Sequence, residues 1–247
     1  MLKLYDIYQA IQSWAIPLWI GSIQEARQLQ AEPRKRNPEL TRASILKAAT
    51  AEFARYGFDG GRVDRIVSRA GCNTRMLYHY FGDKQALYVE VLEAVYRQIR
   101  HLEQKLDLAG TAPREALINL TRFTWSHFRA QRVFIDITRN ENLARGKHIK
   151  RSKAIAEMSS PLIAQLRDTL ERGRAEGAFR HAVDPLQLYI SIVALCSHHL
   201  NNVHTLSATF QTDLKAPEWL EARLQHVEAV VLRTVGAVED EAPADRD

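Results

Sequence analysis

Asn73-Thr74-Arg75-Met76-Leu77-Tyr78-His79-Tyr80-Phe81, followed by Gly82-Asp83-Lys84, crowds polar, basic and aromatic side chains onto one short amphipathic stretch of helix. Leu77 and Phe81 lie four apart and face a packing partner, which leaves Thr74, Arg75, Tyr78 and His79 toward solvent. A helix so divided is suited to entering a DNA groove.

The segment before it makes that reading possible. Val63, Ile66, Val67 and Ala70 fall at helical spacing, Gly71 closes their helix, and Asn73 starts the next as an N-cap that accepts from the first-turn N–H groups. Two short helices joined by a tight turn containing Gly make a helix-turn-helix. Upstream, Ile45, Ala49, Phe53 and Tyr56 form the apolar stripe of a longer helix starting near Pro38 and ending at Gly57.

Residues 41–91 resemble the DNA-binding domain of the TetR family of transcriptional regulators. The resemblance rests on Phe53-Ala54-x-x-Gly57-Phe58, on Ile66 and Ala70-Gly71, on Leu77-Tyr78-His79-Tyr80-Phe81, and on Lys84 with Leu87. By correspondence with the family, Thr74, Arg75 and His79 contact base edges, while Arg62, Tyr78, Tyr80 and Lys84 hold phosphates. Asn73 joins this DNA-binding set at the helix N-terminus. Arg62-Val63 stands where the family commonly has Thr, and Arg75 where it has a small residue, so operator sequence does not carry over.

The chain has 247 residues, is 46% hydrophobic and carries a formal charge of +5, which describes a folded protein rather than a disordered one. Between Arg34 and Lys84 eleven Lys or Arg stand against five acids, so this segment alone exceeds the whole chain's surplus, as phosphate contact requires. The two cysteines, Cys72 and Cys196, lack finger or CxxC spacing, which fits a reduced, cytoplasmic setting. No apolar run approaches the roughly 18 residues that cross a bilayer. Residues 1–37 read as an extension ending in a basic arm, Arg34-Lys35-Arg36, that either follows DNA or is simply solvated. Its apolar start is either an amphipathic helix docking on the protein or a stretch ahead of the true start codon.

After Lys84 the pattern is helical almost throughout. A long fourth helix carries Leu87 to Leu106. Further helices open at Pro113 and near Arg132, at Ser160-Pro161 as N-cap and first-turn proline, at Asp184-Pro185, and at Pro217. The expected fold is all-α with about nine helices. A helix-turn-helix domain over 38–83 precedes a ligand-binding and dimerisation body over 84–237, and 238–247 form an acidic disordered tail. The helices at 184–206 and 217–235 carry more apolar surface than a monomer buries, which predicts a homodimer reading a palindromic operator on double-stranded DNA.

The body resembles the family's ligand-binding half only loosely. Glu141-Asn142-Leu143 and Gly146-Lys147-His148 are similar to a stretch in one branch, near the pyrimidine- and aromatic-catabolism regulators. Polar or aromatic groups on apolar helices give the ligand-binding candidates Trp125, Phe128, Phe134, Asn142, His198 and Asn202, for an unknown small-molecule effector. Taken singly, each reads first as an ordinary core or dimer-interface residue; together they imply an enclosed apolar pocket with a few polar contacts. Lys147, Lys150, Arg151 and Lys153 form a second basic run, read as a solvated face.

Cys196 and His199 have metal-compatible i, i+3 spacing, but no acid follows Asp184 on that helix, so no metal is expected. Phosphate-loop, nucleophile-elbow, dinucleotide-binding and zinc-protease motifs are absent, so neither catalytic residues nor cofactors are expected. The expected function is a sequence-specific transcriptional regulator, a repressor released by its effector. An activator, or an interaction module without DNA, is the alternative.

Overall fold

The structure, a computed structural model, describes residues 38–238. The basic arm, the rest of the extension and the tail after Val238 lie outside the described residues. Ten α-helices and a short 3₁₀ turn make up the order: α1 Pro38–Gly60, α2 Val63–Ala70, α3 Thr74–Phe81, α4 Lys84–Glu103, α5 Pro113–Ala130, α6 Arg132–Leu143, the turn Ile149–Arg151, α7 Lys153–Ala175, α8 Pro185–Asn201, α9 Val203–Phe210 and α10 Pro217–Thr234. The fold is all-α, and the described residues contain one isolated bridge, between Phe179 and Ala237.

Packing divides the described chain into one unit of residues 38–95 and 133–153 and another of 96–132 and 154–238. In the first, α1 lies against both α2 and α3, and Ile45, Ala49, Phe53, Ile66, Leu77 and Phe81 meet in its core. Helix α1 changes direction at Gly57, whose φ of 66° is strained for any side chain, and runs three residues past the expected stop. Gly61 is needed for another reason: a Cβ there would lie 2.6 Å from the Phe53 ring. Helix α2 ends as expected at Gly71 with φ 66°, and the Cys72 N–H reaches back to the Val67 carbonyl at 3.1 Å.

In the second unit α5, α8 and α10 pack on one another around Leu120, Phe123, Ile192, Cys196, Val227 and Val231. Asp184 caps α8, its Oδ1 accepting from the Gln187 N–H at 2.8 Å, with Pro185 in the first turn.

Two boundaries depart from the sequence reading. Pro161 does not open a helix but sits inside α7, which begins at Lys153. An interior proline forgoes its own N–H bond and crowds the carbonyl four residues back, a cost that the remaining bonds and packing of this 23-residue helix offset. The helix expected to run on to Leu206 breaks at Asn202, with α9 following, so the described helices number ten rather than nine.

Packing also groups residues differently from the expected division at Lys84. Residues 133–153 belong with the helix-turn-helix. Asn140 donates from its amide to the carbonyls of Phe53 at 3.1 Å and Ala54 at 3.0 Å, satisfying the end of α1 before its bend.

Candidate nucleic-acid interface

Helix α3 is held from below and open above. Leu77 and Phe81 are 0% and 5% exposed, whereas Tyr78 is 43% exposed and Arg75 and His79 are also exposed. Asn73 occupies the N-cap in extended conformation, and its Oδ1 accepts from the Met76 N–H at 2.9 Å. Its oxygen is thus committed to the helix, and Asn73 positions the reading residues by fixing where α3 starts.

The other expected contacts surround this face. Thr74 and Tyr80 are half-buried, and the His79 and Tyr80 rings meet edge-on at 5.4 Å. The Arg62 side chain is exposed ahead of α2. Lys84 opens α4 with its Nζ 4.6 Å from the Phe58 ring centroid, a cation–π contact that directs the ammonium. All eight residues lie in the first unit.

Two buried acids hold this unit together; the sequence reading counted Glu52 only as a charge and met Glu141 only in the Glu141-Asn142-Leu143 stretch. Glu52 is fully buried on α1, where its Oε1 accepts from the Arg62 N–H at 3.1 Å and from Arg65 Nε at 2.6 Å. Burial alone would raise its pKa, but Arg65, the Arg62 N–H and Arg69 together outweigh this and hold it below the ordinary value. Arg65 also donates to the Gly60 carbonyl at 2.8 Å, so one acid fixes the turn before α2. The signal was present: Glu52 falls in the buried register of Ala48, Ala49 and Phe53.

Glu141 is the second. It accepts from the N–H groups of His148 at 2.7 Å and Ile149 at 2.9 Å, and meets His148 Nδ1 at 3.0 Å. The His148 ring packs 4.3 Å from Phe58 and 4.9 Å from Tyr88, whose phenol is pushed up by burial and by Glu141. Arg145, Lys147, Lys150, Arg151 and Lys153, neighbours of His148 in sequence, are exposed.

Charge is therefore distributed differently from the first count. Residues 38–95 hold eight basic and seven acidic side chains, whereas 133–153 hold six and two. Most of the described surplus in this unit comes from the second basic run.

The six ligand-binding candidates fall in both units. Phe134 and Asn142 fall in the first unit and the other four in the second. Asn142 is exposed and donates to the Thr138 carbonyl of its own helix at 2.9 Å; Asn202 does the same to His198. His198 is exposed, Phe128 is core, and Trp125 stacks on His199 at 4.7 Å. The two asparagine bonds engage one amide N–H of each with a carbonyl one turn back, which spacing alone does not reveal. Cys196 is wholly buried, its Sγ 3.9 Å from the Thr121 carbonyl, and burial pushes its thiol up to about 12. Among the described residues no three His, Cys, Asp or Glu side chains are placed to hold a metal, and no helix is long and apolar enough to cross a membrane.

Residues 45–91 match the family model of bacterial regulatory proteins of the tetR family, and residues 113–231 match a tetracyclin repressor-like C-terminal domain. The chain is 37% identical over 181 residues to the HTH-type transcriptional repressor NicS of Pseudomonas putida, covering 73% of this chain and 85% of that one. It is 24% identical over 207 residues to the HTH-type transcriptional regulator RutR of Escherichia coli, covering 82% and 93%. The crystal structure of a TetR transcriptional regulator from Chloroflexus aurantiacus superposes with a TM-score of 0.61 at 17% identity, covering 81% of this chain and 98% of that one.

Proposed function

The chain belongs to the TetR family of DNA-binding transcriptional regulators, and from that premise we propose that it is a homodimeric repressor of a palindromic operator, released by a small-molecule effector. The observation that carries the reading is the division of α3: two buried anchors beneath and Arg75, Tyr78 and His79 open above. Arg75, Thr74 and His79 read bases, and Arg62, Tyr78, Tyr80 and Lys84 hold phosphates. The naming of its relative from Pseudomonas putida as a repressor supports the sign of regulation.

An open groove of about 330 Å³ between α8 and α10, lined by Leu188, Ala194, Leu195, Val230 and Val231, supports the dimer. Leu186 and Ile190 are half exposed on the same helix α8. Two such faces meeting about a twofold axis form a four-helix interface, and a twofold dimer is the symmetry that a palindromic operator matches. Functionally the division runs at Lys84, with 38–83 as the reading head and 84–237 as the body. Effector binding acts through differential affinity for the two states, moved along α4.

Gel shifts on the region upstream of its own gene test this reading. Arg75→Ala should weaken specific binding by ~1–3 kcal/mol and relax base preference. Lys84→Ala should weaken all sequences alike and lower the salt slope by about one. The absence of any shift at low salt would reject the DNA reading, and unchanged footprints with Arg75→Ala would reject the base contact. Light scattering should report a dimer at micromolar concentration and a monomer for Ala194→Glu.

A further inference from the structure

The last turn of α4 carries a polar cluster that the second unit buries. Arg100 and Glu103 lie three apart, 8% and 2% exposed. Arg100 Nη1 donates to Glu103 Oε2 at 2.6 Å and to the Tyr189 hydroxyl at 3.1 Å, and that hydroxyl donates to Glu103 Oε1 at 3.2 Å. The guanidinium lies 5.6 Å from the Tyr189 ring centroid, so α8 supplies one wall. Arg100 Nε is buried with no acceptor.

A buried ion pair often contributes no more to stability than well-packed apolar side chains of the same volume. A guanidinium offers five donors in a rigid fork, and this one leaves Nε idle. Beside it is a cavity of about 10 Å³, lined by Arg100, Glu103, Gln104, Gln165, Met158 and Leu162. That is room for roughly one water.

We propose that Arg100 is the anion-receiving residue of the effector site and that the effector is a small carboxylate, whose head group displaces Glu103 from the guanidinium. The assignment rests on the effector reading above. A carboxylate fits because the site already holds one: the ligand takes over the oxygens of Glu103 and, approaching along Nε and Nη, makes the paired bonds Glu103 does not. Gln104 and Gln165 offer amides at the rim, and Met158 and Leu162 offer an apolar wall to the remainder of the molecule.

Charge balance sets the chemistry of exchange. Two carboxylates beside one buried arginine would leave an unpaired negative charge, so Glu103 takes a proton from solvent as the ligand enters. Burial has already pushed Glu103 up to about 7, outweighing Arg100 and Tyr189, which makes that proton accessible near neutrality. The other groups do not compete. Tyr189 is pushed up to about 12 by burial and Glu103, and His127, also within the field of Arg100, is pushed down to about 4 by burial and that charge, so it stays neutral. The exchange changes the partner of α4 at its C-terminal turn, on the helix that also begins at Lys84.

Thermal-shift and calorimetric titrations of the full chain with formate, acetate and benzoate, and with neutral benzamide, test this at pH 6 and pH 8. At least one carboxylate should raise Tm and bind about tenfold more weakly at pH 8, because only protonated Glu103 steps aside. Benzamide should do neither, and Arg100→Gln should abolish the effect. If Arg100→Gln folds poorly, Arg100→Gln with Glu103→Gln keeps the core neutral and should also be blind to carboxylates. Equal response of either variant, equal response to benzamide, or no response of the natural chain to any carboxylate overturns the assignment. The effector reading is scored separately on DNA. Release by a neutral compound, unchanged in Arg100→Gln, removes this site and keeps an effector; carboxylates that bind through Arg100 without changing DNA affinity keep the site and remove the effector role.

Discussion

Glu52 and Glu103 are both buried glutamates on long helices, one in each packing unit, and their pKa values move in opposite directions. Burial disfavours both charged forms, so the partners decide. Glu52 faces Arg65 and Arg69, which are 39% and 50% exposed at the side chain and keep their own water, and it adds a backbone N–H. Only one ion there is desolvated. Glu103 faces Arg100, which is also buried, so both ions lose water. A guanidinium cannot give up its proton, and the acid must absorb the cost by holding its own. The first arrangement is a permanent clamp under the reading head, and the second is a contact that releases.

The largest effect should come from cutting the clamp. Glu52→Ala leaves the Arg62 N–H without its acceptor and Arg65 without its partner, at about 2–4 kcal/mol, below the full cost of a broken buried pair because the arginines still reach water. Urea unfolding followed in the first unit reads it, with DNA affinity falling in parallel. An unchanged midpoint would mean that Glu52 fills space and nothing more.

The contrast also predicts opposite pH slopes. Glu52, with its folded pKa depressed, supports the fold above its ordinary value of 4.5 and loses that support as pH falls through the lower folded value. Glu103, with its pKa raised to about 7, favours the fold fully below 4.5 and loses that contribution as pH rises through 7. Between pH 5 and pH 8 this is on the order of 2 kcal/mol. Hydrogen exchange should show peptides around Arg100 loosening toward pH 8, and Glu103→Gln should flatten that slope. Peptides of α2 should loosen only in acid. Parallel slopes in the two regions would end the comparison.

The two regions were also unequally legible. The helix-turn-helix is written locally: Leu77 and Phe81 four apart, Gly71 with positive φ, and Asn73 at an N-cap are each decided by neighbours within a few residues. The cluster around Arg100 depends on Tyr189, which is 89 residues away in sequence, so the helical period shows at most that a charged pair sits among leucines. Asn142 and His198 show the converse limit, since their exposure could not be read from the sequence: a polar residue on an apolar helix looks the same whether it faces a cavity or solvent. Glu52 lay between. Its buried register was readable, but its three partners were not.

Gly61 tests how tightly the clamp region is built. A methyl there meets the edge of the Phe53 ring at 2.6 Å and the Gly57 carbonyl oxygen at 3.0 Å, and Phe53 is fully buried between α1 and its neighbours. Gly61→Ala should cost about 1–2 kcal/mol through overpacking. The matching substitution at Gly71, where no atom lies within 4 Å of the added Cβ, should cost only the strain of its positive φ, about 1 kcal/mol. Since Gly61 has no positive φ, an unchanged Tm for Gly61→Ala would show that the Phe53 ring gives way to the methyl.

The smallest effect distinguishes holding a helix from reading DNA with it. Asn73 caps α3 and Asp184 caps α8 with the same bond, side-chain oxygen to the N–H three residues on, at 2.9 and 2.8 Å. Replacing either by Ala should cost ~1 kcal/mol. Only Asn73→Ala should weaken DNA binding, because α3 is an eight-residue helix whose first turn carries Thr74 and Arg75. Asn73→Ser, which keeps a capping oxygen, should restore stability and DNA affinity together, since the cap acts by fixing where the helix begins. If the serine variant regains stability yet binds DNA as poorly as the alanine variant, the lost affinity belongs to the Asn73 amide. Asn73 then touches the nucleic acid itself, and the start of α3 reads as well as positions.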